Sequence, residues 1–301
     1  MYQETESYTK LSKDAKNNYN AAWEKSTSGR RTDAGKNVKD TVKRLSILSD
    51  RKVRDLNGLD YQKVIDGIKA EGLGRDSCEK VRSLISVLCQ HAILMQVIDQ
   101  NYANTLKLPE QGARAKRRNF TYDEILTLLY NDQHRDVQIL LCLIYSGVRE
   151  NELFKMRKEN VHLSPDRNYM VGGSKSEAGK DRIIPIRSEI IEYITGFYNT
   201  GDSPYLILDD NGQRLNRSSY IKKYFYPLLD RLKFDYRNEK GDSLLVPYRS
   251  RHTFIAENIK AGVKPEILTK LVGHANYSTS VNKYDEYIDI DYIIKEAQKG
   301  L

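Results

Sequence analysis

Four segments in the second half of the chain place polar residues where a protein core would normally have apolar ones. In the first, Ser146-Gly147-Val148-Arg149, an arginine follows a glycine break and precedes a new helix that begins by Glu150. A guanidinium at a helix N-terminus favours anion binding, because free backbone N–H groups and the helix dipole attract negative charge. Alternatively, Arg149 has only a structural role and pairs with Glu152.

The second segment brings an aromatic hydroxyl and two basic groups onto one helical face. Tyr248, Arg251 and His252 stand at positions i, i+3 and i+4, which lie on the same side of an α-helix. A phenol, a guanidinium and an imidazole at these positions can all address one phosphate group. The alternative is a solvated basic face without chemistry.

The third and fourth segments add a histidine, a tyrosine and two lysines. A helix is predicted to end at Gly273, His274 follows directly, and Tyr284 comes ten residues after His274. Between residues 172 and 186, a predicted hairpin presents Lys175 and Lys180 near its tip. Each segment is a weak indication by itself, and the four carry weight only together and in this order.

The elements that must position these residues mix helices with short strands. A buried helix is predicted over Arg135 to Tyr145, and strands over Asn168 to Val171, Arg182 to Ile186 and Tyr205 to Leu208. Further helices are predicted over residues 217–232, 249–261, 266–272 and 292–298. The second half of the chain is therefore predicted to be mixed α+β, mostly helical with a small antiparallel sheet.

The first hundred residues predict helices alone. Asp76-Ser77-Cys78-Glu79 has the pattern of a capping box, and apolar residues from Val81 to Ile98 then recur at helical spacing. Shorter helices are predicted around residues 14–23, 37–48 and 60–68, the last after an Asn57-Gly58 turn. A small α-helical bundle is the simplest arrangement for these segments.

A polar, basic connector separates the two halves. The helical pattern stops at Leu106, and Thr121-Tyr122-Asp123-Glu124 opens the next helix as a second capping box. We predict a helical domain over residues 1–108, a linker over 109–119 and a second domain over 120–301. The linker is either a solvated spacer or a DNA-binding segment lying along a duplex backbone, and its basic residues are Arg114, Lys116, Arg117 and Arg118.

The charge of the chain makes a polyanion the first partner to consider. Lys plus Arg number 49 and Asp plus Glu 41, so the net charge is +8 and the isoelectric point is near 9.1. This balance is also compatible with ordinary solubility. The 21 tyrosines, against six Phe and one Trp, offer hydroxyls and stacking faces that are compatible with nucleic-acid binding.

Composition also excludes several classes of protein. The longest apolar run, residues 139–145, is far shorter than the roughly 20 residues of a membrane helix, and the N-terminus has no secretory signal pattern. Three cysteines without a CxxC pair indicate a reducing compartment, and five scattered histidines argue against a zinc site. We expect a soluble, cytoplasmic protein that needs no membrane, metal or cofactor.

Taken in order, the four segments resemble the tyrosine recombinases of the phage integrase type, and most closely the integrases of conjugative transposons and related prophages. In that family, Gly-(Val/Leu)-Arg before Glu-Leu and a His-x-x-Arg-His-Thr-Phe block carry two arginines. A Leu-x-Gly-His block then precedes the nucleophilic tyrosine by nine or ten residues. The resemblance spans roughly residues 10 to 290. It implies a core-DNA-binding (SAM-like) domain, a catalytic domain and the following catalytic residues: Arg149, Lys175, Tyr248, Arg251, His274 and Tyr284.

The resemblance also implies a role for each catalytic residue. Tyr284 would attack the scissile phosphodiester, release a 5′-hydroxyl and form a 3′-phosphotyrosyl bond. Arg149 and Arg251 would stabilise the charge on the phosphate oxygens, Lys175 would protonate the leaving oxygen, and His274 would assist deprotonation of the phenol. No metal or other cofactor takes part in this chemistry.

The sequence departs from the family pattern at one position and leaves the nucleophile open by residue type. Tyr248 stands where the family usually has histidine. Its hydroxyl can donate to a phosphate oxygen, but it carries no positive charge at neutral pH. Tyr277 and Tyr287 are alternative nucleophiles by type, and only Tyr284 has the family's spacing.

By this resemblance, the function is that of a site-specific DNA recombinase that integrates or excises a mobile element. It implies a homotetramer on two double-stranded DNA sites, associated with the nucleoid when bound, with an excisionase or a host DNA-bending protein as candidate partners. The C-terminal tail resembles an exchange helix that docks on a neighbouring protomer, although packing on its own domain is the alternative. Two other functions stay open: a non-cleaving DNA-binding regulator, and a topoisomerase or resolvase with the same chemistry.

Overall fold

The computed structural model describes residues 15–17, 48, 51–112, 116–173, 181–273 and 290–298. The chain divides into two compact units, one ending at Arg114 and the other beginning at Ala115. Within the described residues, no helix combines the length and the apolar character that crossing a lipid bilayer requires.

The first unit is built on helices α1 (Gly58–Ala70) and α2 (Arg75–Leu94), with 3-10 turns at Val53–Asp55 and Tyr102–Thr105. The predicted Asn57-Gly58 turn is instead the cap of α1. The Asn57 side chain accepts from the Leu59 and Asp60 N–H groups, and the Asp60 carboxylate accepts from the Asn57 N–H. Both helices bury apolar residues in one core, which includes Val64, Ile65, Ile68, Val81, Leu84 and Ile85.

The predicted capping box at the start of α2 is wrong. The helix begins at Arg75 with Gly74 as its N-cap, and no side chain caps it. Asp76 therefore lies within the first turn, where its negative charge still favours the positive end of the helix dipole. The helices predicted around 14–23 and 37–48 lie outside the described residues, except that 15–17 and Leu48 are helical.

The second unit consists of helices around a small sheet. Its helices are α3 (Tyr122–Tyr130), α4 (Arg135–Ser146), α5 (Glu150–Leu153), α6 (Ile191–Asn199), α7 (Arg217–Ser219), α8 (Tyr226–Arg231), α9 (Arg249–Lys260), α10 (Pro265–Val272) and α11 (Ile290–Ala297). The capping box predicted at Thr121 is confirmed, since its hydroxyl accepts from the Glu124 N–H and the Glu124 carboxylate accepts from the Thr121 N–H. Helix α4 is buried along nearly its whole length and packs against α3, α6 and α9.

The sheet has three antiparallel strands in the order β1 (Val161–His162), β2 (Tyr169–Gly172) and β3 (Arg182–Pro185). The third strand predicted at Tyr205–Leu208 is wrong, because Tyr205 and Leu208 form only isolated bridges, to Arg157 and Arg214. Strand β1 is two residues long, too short for an alternating pattern to show in the sequence. The predicted fold class, mostly helical with a small antiparallel sheet, is confirmed.

The segments predicted as helices over 217–232 and 292–298 are both largely helical in the structure. The helix predicted over 217–232 contains a π-helical turn at Tyr220–Phe225, and Pro227, which has no N–H to donate, follows in the first turn of α8. Helix α11 packs within the second unit: Ile293 and Ala297 are buried in a cluster with residues of α10, and the Arg187 guanidinium donates to the Ala297 carbonyl at 2.6 Å.

Candidate phosphate-binding site

The first arginine is positioned by a sharp break after the buried helix α4. Gly147 ends this helix in the left-handed region, with φ +64°, and a Cβ at this position would overlap the ring of Phe254. Only glycine meets both conditions without strain. The chain then turns so that Arg149 caps the single turn of α5, and its backbone N–H donates to the Glu152 carboxylate at 3.4 Å.

The second arginine of the site is almost completely buried. Arg251 lies on α9 and is 1% exposed. Its Nη1 donates to the Gly147 carbonyl at 2.8 Å, and its Nη2 donates to the Val272 carbonyl. Its Nε has no hydrogen-bond partner within the described part of the chain. Since buried donors are normally satisfied, this nitrogen marks a place where a partner belongs.

The surroundings of Arg251 are short of negative charge. Burial, together with the positive charges of Arg149 and Arg182, lowers the pKa of Arg251 to about 10, although Tyr248 and the Glu152 carboxylate act in the opposite direction. The guanidinium stays charged at neutral pH, although its surroundings disfavour that charge. A bound anion would relieve this electrostatic cost, because buried charges are stable only when paired.

The Glu152 carboxylate, which acts to raise the pKa of Arg251, is already engaged. Both Arg182 guanidinium nitrogens Nη1 and Nη2 donate to it, the second at 2.9 Å. Within the described residues no ion pair joins Arg149 to a carboxylate. The structure therefore answers the sequence alternative that paired Arg149 with Glu152: only the backbone N–H of Arg149 bonds to that carboxylate, and its side chain is not the partner.

Tyr248 lies on the same face as His252, as the helical spacing predicted. It immediately precedes α9, is partly exposed, and packs edge-on against His252 with ring centroids 5.1 Å apart and an interplanar angle of 86°. The Tyr248 phenol also acts to raise the pKa of Arg251, so the two side chains are near each other. The structure thus brings together Arg149, Tyr248 and Arg251.

The other predicted catalytic residues lie outside the described residues. The described chain ends at Gly173 and continues at Asp181, which leaves out Lys175. It also ends at Gly273 and continues at Ile290, which leaves out His274 and Tyr284, together with the alternative nucleophiles Tyr277 and Tyr287. The described edges of both gaps adjoin the arginines, since Arg182 and Val272 contact Glu152 and Arg251 respectively.

The linker residues divide into two kinds. Lys116 and Arg117 are exposed, and Arg114 lies outside the described residues. Arg118 instead pairs with both oxygens of Glu124, at 2.6 and 2.8 Å, and donates to the Asp235 carbonyl. The hydrogen bonds to Glu124 raise the pKa of Arg118. Since its charge is already neutralised, Arg118 is suited to anchoring the linker, and Lys116 and Arg117 to meeting a polyanion.

The sequence analysis did not identify Arg182 and Glu152 as a pair of the site. Their side chains are 5% and 11% exposed, which is rare for charged groups unless they are paired. The sequence offered one indication of this pair: an arginine stands at the start of the predicted strand Arg182 to Ile186, where an apolar residue would be usual. Among the described residues, no three His, Cys, Asp or Glu side chains come close enough together to hold a metal ion.

Comparisons with known proteins show a family match and similar folds. The model of the phage integrase family matches residues 118–288. The tyrosine recombinase XerA of Pyrococcus horikoshii is 30% identical over 172 residues, which cover 54% of this chain and 55% of the relative. The chain spans between about half and two thirds of the length of the archaeal XerA relatives that it matches.

Two solved structures show the same fold. A lambda integrase tetramer bound to a Holliday junction superposes with a TM-score of 0.63 at 15% identity, covering 93% of this chain and 76% of that one. The Tn1549 transposon integrase in complex with transposon right-end DNA superposes with a TM-score of 0.59 at 18% identity, covering 83% of this chain and 87% of the other.

Proposed function

Because the chain belongs to the phage integrase family of tyrosine recombinases, we propose that it is a site-specific recombinase that cuts and rejoins double-stranded DNA. The observation that carries this proposal is the buried, under-neutralised guanidinium of Arg251 beside Arg149. The Arg251 Nε–H, which has no partner within the described residues, and the Arg149 guanidinium suit the non-bridging oxygens of a phosphodiester, because hydrogen bonds from charged donors to phosphate are strong.

In the proposed reaction, the Tyr284 oxygen forms a bond to the scissile phosphorus while the bond to the 5′ oxygen breaks. His274 takes the phenol proton, and Lys175 gives a proton to the departing 5′ oxygen, so that charge and atoms balance. The product is a 3′-phosphotyrosyl bond, and attack by a 5′-hydroxyl on this bond rejoins a strand. No metal is required, since the arginines supply the positive charge that the transition state needs.

The role of Tyr248 follows from its place beside Arg251. Its hydroxyl donates to a phosphate oxygen, while its ring packs edge-on against His252. Because a phenol is neutral at physiological pH, it stabilises the transition state by a hydrogen bond without an added charge. Tyr248 is also the one observation that favours the second candidate function, a DNA-binding regulator that does not cleave.

The proposed assembly is a homotetramer on two DNA sites of a mobile element. Two similar solved structures support this proposal. One is a lambda integrase tetramer on a Holliday junction, and the other is a transposon integrase in complex with transposon-end DNA. Lys116 and Arg117 would contact the duplex backbone in this assembly. An excisionase or a host DNA-bending protein would act as an accessory factor, and the cytoplasm, with its nucleoid, is the proposed location.

Single-turnover cleavage of a library of nicked duplexes with randomised sequence tests the proposal whichever target sequence the protein recognises. We expect wild type to form a covalent protein–DNA adduct without metal. The Arg251→Lys variant should form it about 10²- to 10³-fold more slowly, as is typical when a donor to the transition state is lost. The exposed Arg157→Lys is the matched control and should leave the rate unchanged.

Equal rates for wild type and Arg251→Lys would contradict the proposed role of the two arginines. Tight DNA binding without any adduct would instead support the regulator. If the protein forms adducts and relaxes a supercoiled plasmid but never joins two separate duplexes, the enzyme is a topoisomerase.

A further inference from the structure

Two buried arginines bind the same end of one helix. The carbonyls of Leu271 and Val272 belong to the last turn of α10, where carbonyl groups have no partner within the helix. The Arg182 Nε donates to the Leu271 carbonyl at 2.9 Å, and the Arg251 Nη2 donates to the Val272 carbonyl. Positive charges at a helix C-terminus also interact favourably with the helix dipole.

Arg182 connects this helix end to the element that carries Arg149. The other two nitrogens of its guanidinium bind the two oxygens of Glu152 as a fork. The same carboxylate accepts the backbone N–H of Arg149. Two side-chain groups therefore connect α10 to Arg149. The planar guanidinium of Arg182 binds Leu271 and Glu152, and the Glu152 carboxylate binds Arg182 and the Arg149 N–H.

The strand opposite Arg182 leaves room for this ion pair. Gly172 is the cross-strand partner of Arg182. A Cβ on Gly172 would come within 2.8 Å of Ile184 Cδ1, 3.1 Å of Met156 Cε and 3.4 Å of Glu152 Oε1. A Cβ here would therefore displace the tips of Ile184 and Met156 first, and it would meet the carboxylate that Arg182 holds only at van der Waals distance.

We propose that Arg182 is a positioning residue that sets the distance between the two phosphate-binding arginines. Arg251 is held by the Val272 and Gly147 carbonyls. Arg149 is held by Glu152, which is bound by Arg182, and Arg182 in turn binds the Leu271 carbonyl. Both arginines are therefore positioned relative to the last turn of α10. Arg182 itself does not bind the phosphate, because Glu152 neutralises its charge. This inference rests on the proposed function for its catalytic readout.

Lysine at position 182 keeps the charge but cannot span Glu152 and Leu271 with a planar fork. We therefore expect the Arg182→Lys variant to lower the cleavage rate at saturating DNA by about 10- to 100-fold, since a shift of about 1 Å in a catalytic group costs about that much. The dissociation constant for DNA should change less than about threefold, because many other phosphate contacts determine it.

The matched control is Arg231→Lys. Arg231 also binds a carboxylate as a fork, with both distances to Asp136 at 2.9 Å, but it lies on α8 outside the site. This control should leave cleavage unchanged. In addition, free guanidinium ion should restore part of the activity of Arg182→Ala, whereas methylammonium should not.

Titration with inorganic phosphate separates this inference from the proposed function, since it requires no cleavage. We expect the affinity for phosphate to fall at least about fivefold in Arg182→Lys and in Arg149→Lys, and to stay unchanged in Arg231→Lys. Wild-type phosphate affinity in Arg182→Lys would overturn the positioning role, whether or not the protein cleaves DNA. Parallel loss of DNA affinity, cleavage and melting temperature, without guanidinium rescue, would show that Arg182 serves only stability and would also overturn it.

Discussion

Replacement of Gly147 by alanine tests how the break after α4 positions the arginine site. The alanine would hold φ at +64°, which costs a residue with a Cβ about 1–2 kcal/mol. Its methyl group would also overlap the Phe254 ring, which is 2% exposed and has no free space to enter, and overpacking of this kind costs about 1–3 kcal/mol. We therefore expect Gly147→Ala to destabilise the second unit by about 2–5 kcal/mol.

Gly212→Ala is the matched control for the backbone contribution. Gly212 also has a positive φ, +72°, but a Cβ there would meet no atom within 4 Å. This variant should therefore lose only about 1–2 kcal/mol. The assay is urea unfolding followed by hydrogen exchange of peptides from α4, so that the second unit is measured alone.

The same substitution should affect catalysis more than DNA binding. Phe254 and Arg251 share helix α9, and the Gly147 carbonyl accepts from Arg251, so the overlap shifts Arg251 relative to Arg149. A shift of about 1 Å lowers a rate about 10²-fold. Equal losses of stability in Gly147→Ala and Gly212→Ala would refute the steric argument, and normal cleavage by Gly147→Ala would refute the positional one.

Three further predictions concern DNA affinity, pH and the tail. Lys116→Ala and Arg117→Ala should each lower the slope of log affinity against log salt by about 0.9, measured by fluorescence anisotropy, whereas Arg118→Ala should leave the slope unchanged because Glu124 already pairs with it; an equal drop in all three would contradict this division. Tyr248→His should make cleavage slow down as pH rises through about 6.5, where the imidazolium loses its charge, and a rate profile without that step would show that position 248 does not meet the phosphate. Deletion of the residues after Tyr287 removes Ile293 and Ala297 from their cluster with α10 and should lower stability, but it should impair tetramer assembly, measured by light scattering, more than binding to a single duplex; equal loss of both would mean that α11 serves only its own unit.

Local patterns predicted those features that depend on neighbouring residues. The Thr121 capping box, the buried helix α4 and the common face of Tyr248 and His252 depend on spacings of three or four residues, and the structure contains each of them. The Asp76 capping box failed because Gly74 starts the helix earlier, and the pattern of residue types is the same inside a first turn as at a cap.

Features that depend on residues far apart in the sequence were not predictable. The partner of Glu152 is Arg182, thirty residues away, and not Arg149, three residues away. Arg182 reaches that carboxylate from β3, a strand that also packs against α10. The sheet was mispredicted for a similar reason, since β1 is defined by its pairing with β2 and not by its own two residues.

The most direct test of the proposed recombinase chemistry is to identify the residue that becomes joined to DNA. Adducts trapped on nicked duplexes would be digested with nuclease and protease, and the peptide that carries the residual nucleotide would be sequenced by mass spectrometry. We predict the modification on Tyr284, with no adduct from Tyr284→Phe and normal adducts from Tyr277→Phe and Tyr287→Phe. A nucleotide on another residue, or an undiminished adduct from Tyr284→Phe, would contradict the proposed mechanism.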